Sequence, residues 1–166
     1  LRELAVRSEV LTFDWENISV QALRALSRET RIAPPLAALA VSQDRLAEKR
    51  LFAKLAIPTT RHAAVDSPAS LVRALRDVGL PGVLKTRRLG YDGKGQAVVR
   101  SAADAAAAFE ALRASPLIYE EFVPFDFEVS IIGVRNRQGE VAIYPLNHNL
   151  HREGILRLTR APWHAP

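Results

Sequence analysis

Three glycines fall within the segment Gly90-Tyr91-Asp92-Gly93-Lys94-Gly95-Gln96, which is bracketed by the apolar runs Gly82-Val83-Leu84-Lys85 and Ala97-Val98-Val99. The pattern predicts a strand, a tight loop and a second strand running back beside the first. Two uses of such a loop are open. Glycines let the backbone come close to a ligand and turn successive N–H groups inward around an anion. Alternatively, Asp92-Gly93 is simply the favoured dipeptide of a tight hairpin turn. Lys85 adds to the first use. Strand alternation points it in one direction, so its ammonium can meet phosphate oxygens; the plainer alternative is a lysine reaching from a strand end into solvent, with Arg87 and Arg88 as ordinary loop charge. The segment lacks the G-x-x-x-x-G-K-[ST] spacing of a Walker loop.

The rest of the chain reads as alternating helices and antiparallel-compatible strands, an α+β pattern. Leu11-Thr12-Phe13 is a short strand, and Ser19 caps a helix whose apolar face is Val20, Leu23 and Leu26. Between them, Asp14, Trp15, Glu16 and Asn17 resemble a polar loop at a strand's carboxyl end, where α/β sheets bind ligands. Pro34-Pro35 punctuates the chain and suggests a domain boundary, with residues 1–34 before it and 35–166 after it. The stretch from Ser42 to Ala56 predicts an amphipathic helix burying Leu46, Leu51, Phe52 and Leu55. Ser67-Pro68 opens another, with Leu71, Val72 and Leu75 as its buried stripe and Gly79 as its stop. Ser101 and Asp104 have capping-box spacing ahead of an alanine-rich helix. Pro116 to Glu121 reads as a strand, and Val129–Arg135 and Glu140–Leu146 read as two strands joined by the polar loop Asn136-Arg137-Gln138-Gly139.

Composition narrows the partners. The formal charge is +5, from 23 basic and 18 acidic residues, and 19 of the basic residues are arginines scattered along the chain. That suits polyanionic small ligands or solvated faces; a nucleic-acid reader shows one basic stripe with interleaved aromatics, so no nucleic-acid partner is expected. With no cysteine, disulfides and thiolate metal sites are excluded. No run approaches the roughly 18 apolar residues of a membrane span, so no membrane partner and a cytoplasmic location are expected. Leu1-Arg2-Glu3-Leu4 has no targeting pattern and reads as a cut, in a chain short for a multidomain enzyme.

Three further segments carry candidate chemistry. Leu117-Ile118-Tyr119-Glu120-Glu121-Phe122-Val123-Pro124 is an apolar strand running into two carboxylates and an extended turn. Backbone groups of Glu121 to Val123 suit the edge of an adenine, Phe122 or Val123 its face, and Glu128 the ribose hydroxyls; taken singly, the carboxylates also read as solvated strand positions. Asn147-His148-Asn149-Leu150-His151-Arg152-Glu153-Gly154 is a polar segment suited to an anion, but two histidines without nearby paired carboxylates do not complete a metal site. Asp44-Arg45 is either a helix-capping pair or, with Arg45 turned inward, a phosphate contact.

Taken together, Gln43-Asp44-Arg45-Leu46 with Glu48-Lys49, Leu84-Lys85, Gly90 to Gln96, Glu120 to Val123, Glu128, and Tyr144-Pro145-Leu146 through His151 and Gly154-Ile155-Leu156-Arg157 resemble the N5-carboxyaminoimidazole ribonucleotide synthases, the ATP-grasp ligases of purine biosynthesis. The resemblance runs nearly end to end. It implies an ATP-grasp fold of the α+β class, preceded by the end of an α/β domain at residues 1–34. Residues 35–166 would hold a small lid-like subdomain at about 55–120 and the start of a larger one. It implies ATP and Mg2+ as cofactors, with Arg45, Lys85, Gly90, Tyr91, Asp92, Gly93, Lys94, Gly95, Gln96, Glu120, Glu121, Phe122, Val123, Glu128 and His151 as nucleotide contacts and Glu128 on the ribose. It further implies bicarbonate and aminoimidazole ribonucleotide as substrates, carboxyphosphate as intermediate, Asp92 and Lys94 at the reacting centre, and a homodimer. Position 94 is often arginine in that family, so lysine here exchanges a bidentate grip for a point charge. The family's opening glycine-rich loop is absent, and its magnesium carboxylates lie beyond Pro166, so the chain alone is expected not to turn over. Other ATP-grasp ligases, of the formate-dependent glycinamide ribonucleotide transformylase or biotin carboxylase type, and a non-catalytic nucleotide-binding module are the alternatives.

Overall fold

A computed structural model describes residues 1–90 and 93–164. The described residues divide into two compact units. The first holds residues 1–90 and 95–122, and the second residues 93–94 and 123–164.

The first unit begins with helix α1 (Arg2–Val6), strand β1 (Val10–Leu11), helix α2 (Val20–Leu26) and strand β2 (Arg31–Ile32), with β1 and β2 paired in parallel. Ser19 caps α2 as expected, its hydroxyl accepting from the Ala22 N–H at 3.2 Å. Two helices follow where one was expected: α3 (Leu36–Ser42) and α4 (Arg45–Lys54). The Asp44 carboxylate caps α4 by accepting from the N–H groups of Leu46 and Ala47, so the chain cannot continue straight through from Ser42. The expected apolar stripe is only partly buried: Leu46 is inside and Phe52 half-buried, whereas Leu51 and Leu55 are exposed.

The core of this unit is a four-stranded antiparallel sheet in the order β3 (His62–Val65), β6 (Leu117–Glu121), β4 (Gly82–Thr86), β5 (Gln96–Val99). Helices α5 (Pro68–Val78) and α6 (Ala102–Leu112) pack against it, burying Leu71, Ala74, Val78, Ala105 and Phe109 with Val65, Leu84, Val99, Leu117 and Tyr119. Both helices open with reciprocal capping boxes, Ser67 with Ser70 and Ser101 with Asp104. Val72 corrects the expected stripe of α5. It is 66% exposed, because the face that meets the sheet follows Leu71, Ala74 and Val78. Strand alternation sends Leu84 and Tyr119 into this core and leaves their neighbours Lys85 and Glu120 on the other face. At the edge of the core Tyr119 lies against Gly82, and its hydroxyl donates to the Gly79 carbonyl at 2.9 Å.

The second unit contains a three-stranded antiparallel sheet in the order β11 (Ile155–Arg160), β10 (Asn147–Arg152), β7 (Glu128–Ser130), and a hairpin of β8 (Gly133–Arg135) with β9 (Val141–Ile143). The single strand expected over Val129–Arg135 is therefore two. The chain leaves one sheet after Ser130 and enters the other at Gly133, a change that apolar content does not reveal. The hairpin loop forms as expected, with Asn136 accepting the Glu140 N–H on its side-chain oxygen at 2.9 Å. Asn147–Arg152, expected as a polar segment after a strand, is itself a strand. No helix among the described residues is long and apolar enough to cross a membrane.

Candidate nucleotide-binding site

The first unit brings two lysines to one carboxylate. In the β4–β6 register Lys85 faces Ile118, which places Glu120 diagonally across on the same face. The Lys85 ammonium donates to Glu120 Oε2 at 3.0 Å. The same oxygen lies 3.6 Å from the ammonium of Lys49, which arrives from α4 and also donates to the hydroxyls of Thr59 at 2.9 Å and Thr60 at 2.8 Å. The Glu120 side chain is only 8% exposed, so this charge is compensated inside the fold rather than by water. Lys49, Thr59 and Thr60 escaped the sequence reading as individual site residues. The available signal was the four-residue spacing of Arg45 and Lys49, which puts both on one face of α4.

A second cluster ties the start of α4 to the segment after β4. Arg87 grips both carboxylate oxygens of Asp44, and the Arg87 carbonyl accepts the Arg45 N–H at 3.0 Å. Burial pushes the Asp44 carboxyl up, but the hydrogen bond from Arg87, the backbone donors Ala47 and Leu46, and the guanidinium charge together hold it below its ordinary value. Gln43 is buried, donating to the carbonyls of Glu16 at 2.5 Å and Ile18 at 2.7 Å, while its side-chain oxygen accepts from Arg88 at 2.6 Å. Around these residues lies an open polar cavity of about 180 Å³, lined among others by Arg45, Glu48, Arg87, Arg88 and Gly90. The capping reading of Asp44-Arg45 holds for Asp44, and Arg45 borders a cavity.

The glycine loop returns to the sheet through Gly95, whose carbonyl accepts the Thr86 N–H at 2.7 Å, and Gln96 pairs with Lys85. Gly95 has φ +74°, and a Cβ there would lie 2.7 Å from Thr86 Oγ1. Both the conformation and the space demand glycine. Gly93 and Lys94 lie in the turn, with Lys94 exposed. Tyr91 and Asp92, the latter an expected catalytic residue, lie outside the described residues.

At the end of β6 the backbone is partly committed. Glu121 donates its N–H to Arg61 at 2.9 Å and Phe122 donates to Pro81 at 3.3 Å, so these two N–H groups serve the fold and not a base edge. The Glu121 carboxylate accepts from the Arg61 guanidinium at 2.9 Å, and that hydrogen bond holds its carboxyl below the ordinary value. Phe122 is half-buried and Val123 exposed.

In the second unit Glu128 pairs with Asn149 across β7 and β10, and a bulge at Leu150/His151 brings the His151 ring to it, Nδ1 to Oε2 at 2.7 Å. His148 turns elsewhere and stacks on Trp163 with ring centroids 4.9 Å apart, while Phe127 meets Trp163 edge-on at the same distance. The two histidines therefore do not converge, and no cluster of three metal-ligating side chains occurs among the described residues.

A model of the ATP-grasp domain family matches residues 50–166. The N5-carboxyaminoimidazole ribonucleotide synthase of Pseudomonas aeruginosa is 47% identical over 161 residues, a match spanning 97% of this chain and 45% of that protein. Among solved structures, N5-carboxyaminoimidazole ribonucleotide synthetase from Thermus thermophilus superposes with a TM-score of 0.88 at 48% identity, covering 96% of this chain and 43% of that one. N5-carboxyaminoimidazole synthase from Aspergillus clavatus, in complex with ADP and 5-aminoimidazole ribonucleotide, superposes with a TM-score of 0.89 at 29% identity, covering 98% and 42%. The chain spans less than half the length of these relatives.

Proposed function

Because the chain belongs to the ATP-grasp family, we propose that it forms part of an ATP-dependent ligase that carboxylates 5-aminoimidazole ribonucleotide with bicarbonate to N5-carboxyaminoimidazole ribonucleotide, in purine biosynthesis. The observation that carries this reading is the Lys85 ammonium, held on the sheet face by Glu120 beside the glycine hairpin. A fixed cation on the strand that leads into a glycine-rich loop suits a polyphosphate. The relatives supply the substrate class, since several that match over nearly all of this chain are synthases of N5-carboxyaminoimidazole ribonucleotide.

In this reading Lys85 and Arg45 hold phosphate oxygens, Glu120 to Val123 adjoin the adenine, and Glu128, oriented by His151, takes the ribose hydroxyls. Bicarbonate attacks the terminal phosphorus of ATP and ADP leaves; carboxyphosphate then delivers the carboxyl group to the exocyclic amine, its C–O bond to phosphate breaking and inorganic phosphate leaving. Lys94 counters charge developing on the transferred phosphoryl group, and Asp92 orients or deprotonates the amine. Magnesium, expected alongside ATP, finds no fitting donor set among the described residues, so no residue here is assigned to it. The parallel β1–β2 pair, joined through α2, supports residues 1–34 as the end of a preceding α/β domain. A cytoplasmic homodimer completes the proposal by likeness to the family.

The test is ADP release by the purified gene product with ATP, magnesium and 5-aminoimidazole ribonucleotide, with and without bicarbonate, beside its Lys85→Ala variant. Release that needs the ribonucleotide and bicarbonate and falls in the variant is expected. Turnover indifferent to the ribonucleotide overturns the substrate and leaves another ATP-grasp ligase; no turnover with any substrate favours a nucleotide-binding module.

A further inference from the structure

We propose that Lys49 is a positioning residue for the nucleotide: it shares the Glu120 carboxylate with Lys85 and thereby keeps the Lys85 ammonium available to a polyphosphate. This rests on the reading of Lys85 as a phosphate contact.

The geometry separates the two lysines. Lys49 donates to the hydroxyls of Thr59 at 2.9 Å and Thr60 at 2.8 Å and lies in ion-pair range of Glu120 at 3.6 Å, and its side chain is 12% exposed. Lys85 donates to Glu120 at 3.0 Å and its side chain is 21% exposed. Lys49 is thus the anchored cation and Lys85 the one that faces a ligand. A lone Lys85–Glu120 pair would be neutral, and an arriving phosphate would compete with a buried carboxylate for the ammonium. The second lysine gives the trio a net charge of +1 and takes part of the carboxylate's field, so a polyphosphate meets a net cation.

Charge and packing make different predictions here, and two ligands tell them apart. ATP carries the phosphates, whereas adenosine offers only the base and ribose. In calorimetric titrations of the purified protein, Lys49→Met should raise the Kd for ATP on the order of tenfold while shifting that for adenosine less than about twofold. Lys49→Arg, which keeps the charge, should stay within about threefold of wild type for ATP. Lys49→Met combined with Glu120→Gln restores the +1 charge and should recover most of the preference for ATP over adenosine. That double variant also reads the charge if the single one does not fold. ATP binding by Lys49→Met equal to wild type, or parallel loss of both ligands, would overturn the positioning role and leave the ATP site standing. Failure of the wild-type protein to bind ATP would instead remove the ATP site itself, and this role with it.

Discussion

The guanidinium of Arg87 grips both carboxylate oxygens of Asp44, and that same carboxylate caps helix α4. One side chain therefore starts the helix that carries Arg45 and Lys49 and ties it to the segment leaving β4. Asp44→Ala should cost about 2–4 kcal/mol, from the lost cap and a partly buried guanidinium left without its partner. Urea unfolding monitored by circular dichroism measures it, and a loss below about 0.5 kcal/mol would show that the clamp is idle.

The same pair sets a pH dependence. The folded-state pKa of Asp44 is lowered, so its contribution is fully present above the ordinary value of 3.8 and fades as pH falls through the lowered value. Above pH 5 the protein should show no change of stability from this group. Asp44→Asn should remove part of the acid-side slope, which thermal unfolding between pH 2 and 6 would reveal.

Tyr119 is fully buried against Gly82, where a Cβ would lie 2.2 Å from the ring. Gly82→Ala should destabilise by about 3 kcal/mol or more, since neither the buried ring nor the paired strand has room to move. Tyr119→Phe loses only the bond to Gly79 and should cost about 1 kcal/mol. Equal losses in chemical denaturation would mean that the hydroxyl, and not the packing, governs the site.

Gly95 tests conformation apart from space. Gly95→Ala meets Thr86 Oγ1 and also a left-handed φ; adding Thr86→Ala clears the first obstacle and not the second. The double variant should therefore remain about 1–2 kcal/mol less stable than Thr86→Ala alone. Full recovery in thermal melts would show that the clash was the whole effect.

Glu128, if it holds the ribose, should discriminate among sugars. Glu128→Ala is expected to weaken ATP binding on the order of tenfold while leaving 2′,3′-dideoxy-ATP nearly unchanged, because a charged hydrogen bond to the hydroxyls is what disappears. Equal weakening of both nucleotides in competition titrations would remove the ribose role.

What was legible in the sequence was local. Ser19, Ser67 and Ser101 announce their helices because a cap and the N–H it accepts from lie within three residues, and Gly82 to Gln96 announces a hairpin because strand, glycines and strand are contiguous. The resemblance added the family, whose motifs are contiguous too. Lys49 and Glu120 were each visible, but their meeting depends on how α4 lies against the sheet, which no local spacing encodes. Val72 read as core because a helical stripe has two plausible edges, and only the contact with the sheet chooses Leu71, Ala74 and Val78. The switch of sheets between Ser130 and Gly133 was hidden for a similar reason: Ile131 and Ile132 are as apolar as the strands they separate, yet both are exposed.

The amide of Gln43 has both its donors and its acceptor engaged, with two carbonyls of one segment on one side and Arg88 on the other. Such a group has a single workable orientation, since turning it over would set oxygen against oxygen. Its two amide protons should consequently exchange slowly with solvent and give separate, dispersed resonances. They form a built-in spectroscopic reporter of whether the segment carrying Glu16 and Ile18 stays docked, readable without altering a single residue.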